Sequence, residues 1–153
     1  MIELESSSPE ETERIAAALA RELRTGDVVT VAGELGAGKT TFIRGAARGL
    51  GIEGPVTSPT YTVGHRYEGD PDVSHLDLYR FEGMSPEDWG NLEGYLEDAV
   101  VFVEWPEAGA GWLPRPRVSV RLRHLEDGHR LVLLGSTEKS LEIRLSAGAD
   151  PRV

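Results

Sequence analysis

The chain has 153 residues, 39% hydrophobic and 27% charged, a balance that suits one soluble domain with one core and excludes a disordered or fibrous chain. Its net charge of −10 excludes autonomous tight binding to nucleic acid, because neutralising many phosphates takes basic surface. There is no cysteine, which excludes disulfides and thiolate chemistry; with no apolar run near the roughly 18 residues that span a bilayer and no basic-then-apolar start, neither a membrane span nor a secretory signal is expected, and a cytoplasmic protein is.

Ile2 to Glu5 alternates and predicts a short strand. Ser8-Pro9-Glu10-Glu11 reads as a helix start, with Ser8 as cap, Pro9 in the first turn and Glu11 closing a capping box. Ile15, Leu19 and Leu23 continue that helix as one apolar stripe towards Gly26. Asp27 to Ala32 is rich in β-branched residues and predicts a buried parallel strand. A Gly-rich loop fills 33–38, and a second helix is expected from Lys39 to Leu50, stopped by Gly51.

Two prolines keep residues 54–60 out of regular helix. Tyr61 to Tyr67 and Val73 to Tyr79 predict an antiparallel hairpin turning at Glu68-Gly69-Asp70-Pro71. Ser85-Pro86-Glu87-Asp88 opens a helical segment reaching about Glu97, with Gly90 or Gly94 as its weak point. Val100 to Val103 is a second buried strand, and residues 105–114 form a loop. Val118 to His124 and Leu131 to Leu134 predict another hairpin around Glu126-Asp127-Gly128. Residues 139–145 fit strand or helix equally. One α/β domain over 1–146 is expected, with a mixed central sheet flanked by helices and a loose tail over 147–153.

Gly33-Glu34-Leu35-Gly36-Ala37-Gly38-Lys39-Thr40 matches G-x-x-x-x-G-K-[ST] in full, between a strand and a helix as that motif requires. Glycines let successive N–H groups face the phosphates of ATP or ADP, and the helix start adds positive potential. Lys39 is expected to bridge the terminal phosphates and Thr40 to ligate Mg²⁺. Lysine occurs only here and at Lys139 in a chain that otherwise uses arginine. Glu104 ends the buried run 100–103, where an acid serves Mg²⁺ or the attacking water. Asp77 shares a strand face with His75 and Tyr79 and is a further candidate ligand, whereas His75 and Tyr79 suit hydrogen-bonded packing. Ser58-Pro59-Thr60-Tyr61 suits equally a loop that senses the terminal phosphate, through Thr60, and a proline-stiffened turn. Arg115, Arg117, Arg121 and Arg123 form a basic run best read as the solvent face of a strand. Asn-Lys-x-Asp, Ser-Gly-Gly and G-x-S-x-G are absent, which argues against a regulatory GTPase, a transporter ATPase and a serine hydrolase.

Together with Ser58-Pro59-Thr60-Tyr61, His75-Leu76-Asp77-Leu78-Tyr79-Arg80 and Val103-Glu104-Trp105-Pro106, the Gly-rich motif through Thr41 resembles the TsaE (YjeE) family of P-loop ATPases, from about Glu11 to Arg130. The resemblance implies a P-loop fold, Mg²⁺ and ATP binding, slow hydrolysis alone, and work with TsaB and TsaD in placing threonylcarbamoyl on adenosine 37 of tRNA, the tRNA being met only through that complex. It further implies that Thr40 and Glu104 hold Mg²⁺, that Asp77 serves hydrolysis, that 58–61 form a switch-like loop and that Trp105 lies near the nucleotide. Glu11, Thr12 and Arg130 are implied at the adenine. A small-molecule kinase is the competing expectation, since it too uses a P-loop.

Overall fold

A computed structural model, which describes residues 1–59 and 63–149, shows a seven-stranded mixed sheet with helices on both faces. The elements are β1 (Ile2–Ser6), α1 (Pro9–Ala20), β2 (Val28–Gly33), α2 (Lys39–Gly49), β3 (Gly64–Tyr67), β4 (Asp72–Asp77), α3 (Pro86–Leu92), β5 (Ala99–Glu104), β6 (Val118–His124), β7 (Arg130–Gly135) and α4 (Lys139–Ala149). Strand order is β1-β7-β6-β2-β5-β4-β3. The four middle strands run parallel, and antiparallel pairs add β3 on one side and β7 with β1 on the other.

Alternation along the inner strands sorts the side chains. Val29 and Val31, Val73, Val100 and Phe102 face one layer, where α1, α2 and α4 bury Leu19, Phe42, Ile43, Leu141 and Leu145. Val28, Leu76, Val101 and Val103 face the other, covered by Leu92 of α3, Trp89 and Leu113. α1 and α2 approach through glycine. A Cβ at Gly45 would lie 2.5 Å from the Glu13 Cα, and one at Gly49 would lie 3.0 Å from the Ala17 Cα.

Several boundaries differ from expectation. α1 ends at Ala20 rather than near Gly26, because Glu22 and Leu23 bond back three residues, to Leu19 and Ala20, and tighten the chain into a turn. Leu23 is still buried. The segment from Ser85 passes Gly90 as α-helix and tightens to a 3₁₀ turn at Glu93–Leu96. Segment 139–145 is helix: Leu141 and Leu145, four apart, are buried, while Ile143 is 70% exposed. α4 continues to Ala149, into the segment expected to be loose. The basic run divides. Arg121 and Arg123 occupy exposed alternate positions of β6, as expected for a solvent face, whereas Arg117 pairs with Asp27 (2.9 Å) and Glu138 (3.2 Å).

No helix among the described residues is long and apolar enough to cross a membrane.

Candidate active site

Parallel strands deliver their C-terminal ends to one edge of the sheet, so residues far apart in sequence meet there. β2 ends at Gly33, β5 at Glu104 and β4 at Asp77, and Asp77 lies directly opposite Glu104 in the register. A cavity of about 310 Å³ opens at this edge, lined by Leu35, Gly36, Gly38, Lys39, Thr40, Ser58, Asp77, Tyr79, Glu104 and Trp105.

The loop 33–38 is shaped by backbone that only glycine adopts without strain. Gly36 and Gly38 have φ of 76° and 99°. Gly33 is required twice over, by its φ of 150° and because a Cβ would sit 2.6 Å from the Leu122 carbonyl oxygen of β6. Gly38 caps α2 without any side-chain bond, so the free N–H groups of the first helical turn are left for a ligand. The Lys39 side chain turns back into the loop, donating to the carbonyls of Gly33 and Glu34 at 2.8 Å each, with Nζ 4.4 Å above the Trp105 ring. Burial pushes the Lys39 ammonium below the usual lysine range, opposed by the charges of Glu104 and Asp77. A buried cation held by two neutral carbonyls and an aromatic face is poised to meet an anion.

Oxygen donors gather beside it. The Thr40 hydroxyl bonds the Ser58 hydroxyl, and Ser58 reaches Glu104 Oε2 at 3.5 Å. Glu104 is 3% exposed, and its Oε2 also contacts the His75 Nε2 at 2.5 Å. Burial raises the Asp77 carboxyl above the usual range, partly offset by the Tyr79 amide, which donates to Oδ1 at 3.0 Å. Two carboxylates and two hydroxyls are hard oxygen ligands that fit Mg²⁺, an ion that takes few protein ligands and keeps waters and phosphate oxygens. Among the described residues no cluster of three or more His, Cys, Asp or Glu offers a transition-metal cage.

The structure thus brings Leu35, Gly36, Gly38, Lys39, Thr40, Asp77, Glu104 and Trp105 of the expected residues to one cavity. Gly33, Glu34, Ala37 and Thr41 do not line it. Gly33 and Glu34 hold Lys39 instead, Ala37 is fully buried, and Thr41 is half-buried within the first turn of α2. Thr60 lies outside the described residues. Arg130 touches the loop, its Nη2 3.4 Å from the Gly36 carbonyl. Thr12 is buried with its hydroxyl on Ser6 (2.6 Å), opposite Arg130 in the β1–β7 register, and Glu11 bonds Ser7. These three therefore share a corner beside the loop, outside the cavity. Ser58, from the expected sensing loop, also lines the cavity, and so does Tyr79, expected to be hydrogen-bonded packing. Tyr79 follows the end of β4, is 56% exposed, and packs on Trp105 with ring centres 4.9 Å apart.

Comparisons with known proteins point to one family and one fold. The family model described as "Threonylcarbamoyl adenosine biosynthesis protein TsaE" matches residues 6–132. A tRNA threonylcarbamoyladenosine biosynthesis protein TsaE from Bacillus subtilis is 42% identical over 124 residues, covering 80% of this chain and 78% of the relative. One from Treponema pallidum is 40% identical over 126 residues, covering 82% of this chain and 93% of the relative. The crystal structure of Bacillus subtilis YdiB superposes with a TM-score of 0.78 at 31% identity, covering 97% of this chain and 93% of that one.

Proposed function

Because this chain belongs to the TsaE family and has its P-loop fold, we propose that it is the Mg²⁺-dependent ATP-binding and ATP-hydrolysing component of the machinery that makes N6-threonylcarbamoyladenosine at position 37 of tRNA, acting with TsaB and TsaD. The observation that carries the proposal is Lys39, buried at 6% exposure and facing Thr40, Ser58, Asp77 and Glu104 across one cavity at the start of a helix.

In this reading the loop amides and the helix start hold the phosphates, and Lys39 moves from its two carbonyls onto the terminal phosphate. Thr40 and Glu104 hold Mg²⁺, which when bound draws charge from the phosphate oxygens. Asp77, its carboxyl raised above the usual range by burial, orients the water at the terminal phosphate. Ser58 would yield the Thr40 hydroxyl to the ion, and Thr60 is proposed to sense the terminal phosphate. Arg130 extends towards the base, and Trp105 covers Lys39 from the solvent side. Surface charge agrees with a protein that reaches tRNA only through its partners, since a net charge of −10 repels a polyanion.

The test is reconstitution. Purified chain added to TsaB, TsaD, threonylcarbamoyl donor and tRNA is expected to support repeated rounds of modification and to release free phosphate, and Lys39→Ala to remove both. Modification unchanged by Lys39→Ala would overturn the role. A phosphorylated small molecule in place of free phosphate would identify a kinase.

A further inference from the structure

His75 lies one strand away from Glu104 and two residues before Asp77, on the face that α2 covers. It stands opposite Phe102, so that Glu104 is its diagonal neighbour, within reach of a long side chain. The ring is fully buried, and its Nε2 meets Glu104 Oε2 at 2.5 Å. The other nitrogen, Nδ1, has no hydrogen-bond partner. Leaving a buried ring nitrogen without a partner costs stability, and packing alone would be served as well by leucine or phenylalanine. We propose that His75 is a positioning residue: its Nε2–H fixes one oxygen of Glu104 and turns the other, Oε1, to the ion and the phosphate end of the cavity.

The tautomer follows from the contact. A carboxylate oxygen accepts only, so the ring proton shared with Glu104 is assigned to Nε2; in that tautomer Nδ1 carries a lone pair, a cheaper orphan than an unpaired N–H. No described residue donates to Oε1, and Ser58, the other contact of Oε2, is the residue that shares its hydroxyl with Thr40. With His75 in place the carboxylate keeps its orientation when Ser58 moves. Without it, Glu104 would lose its closest hydrogen-bond partner among the described residues, in a site where rotation by one torsion carries Oε1 out of reach.

This inference rests on the ATPase reading for its catalytic part and on the apo chain alone for its structural part, and the test separates them. Nitrogen-edited NMR of the ligand-free protein is expected to show His75 as the Nε2–H tautomer, with a proton signal that moves in Glu104→Gln. An Nδ1–H tautomer, or a signal blind to Glu104→Gln, would overturn the pairing whatever the protein does with ATP. In steady-state hydrolysis, His75→Leu is expected to lower kcat about tenfold or more, to change KM less than about threefold, and to weaken the apparent Mg²⁺ affinity followed by Trp105 fluorescence. His75→Gln, whose amide can donate from a similar position, is expected to recover most of that loss. Turnover by His75→Leu equal to the parent, or a loss in both variants that follows their melting temperatures, would reduce His75 to packing. A parent protein that pairs His75 with Glu104 yet never turns over ATP would leave the pairing standing and sink the proposed function instead.

Discussion

At the scale of single residues, two ionisable groups of the site stand away from their ordinary protonation range, both because burial disfavours their charge. For Lys39 the folded value is lowered from 10.5, so between the two values the unfolded chain binds more protons and stability rises with pH. Below the folded value the cost of the buried charge is fully present. Lys39→Met removes that titration. The stability of the variant relative to the parent, measured by urea unfolding from pH 7 to pH 10, is therefore expected to fall as pH rises. A difference independent of pH would mean that Lys39 is solvated like any surface lysine. The same variant is expected to bind Mg²⁺-ATP about 10–100-fold more weakly, the worth of one charge-assisted hydrogen bond. For Asp77 the sign reverses. Its folded value is raised, so the native chain binds more protons between 3.8 and that value, and stability falls as pH rises through the window. Asp77→Asn is expected to melt higher than the parent at neutral pH, to lose that advantage as the pH falls towards 4, and to hydrolyse ATP about 100-fold more slowly. A variant that loses turnover and melts lower would point to a structural aspartate.

At the scale of elements, the glycines of α2 decide how it seats on α1. Alanine is a better helix former than glycine by about 1 kcal/mol, which alone would make Gly45→Ala stabilising. The new Cβ would lie 2.5 Å from the Glu13 Cα and 2.6 Å from its carbonyl oxygen, and backbone cannot swing aside as a side chain does. Overpacking should win, with a net loss of about 1–3 kcal/mol and a lower melting temperature. A higher one would show that the helices can separate freely. Because α2 carries Lys39 and Thr40, nucleotide affinity is expected to fall with it.

Most elements were legible in the chain because local signals agree: caps at Ser8 and Ser85, a β-branched run at 28–31 and a turn at Asp127-Gly128. The undecided segment 139–145 shows why some were not. Leu141, Ile143 and Leu145 alternate like a strand, and only packing against the first layer selects the four-residue spacing of the outer two. Glu104, Asp77, Lys39 and Thr40 were legible from motif and placement. Ser58 was in view as part of its loop, but its link to Thr40 depends on where that loop folds back. His75 suggested hydrogen-bonded packing, and that it holds Glu104 depends on the β4–β5 register, which no local pattern encodes. Pairing of β1 with β7, from opposite ends of the chain, is likewise a product of the whole fold.

At the scale of the whole molecule, the parallel centre of the sheet gathers Gly33, Asp77 and Glu104 to one edge, and the antiparallel hairpin β6–β7 sets His124 and Arg130 against Leu35 and Gly36 of the loop. The loop 33–38 is thus held from below by β6 and from the side by β7. The proposed triphosphate site is a small patch of backbone amides and one ammonium inside a protein of net charge −10, which by its overall field repels a triphosphate. Isothermal titration calorimetry of the purified chain with Mg²⁺-ATP examines that patch most directly. One-to-one binding is expected, lost or weakened at least tenfold in Lys39→Ala; heat from neither protein, or equal affinity in both, would contradict a triphosphate held by this loop and its lysine.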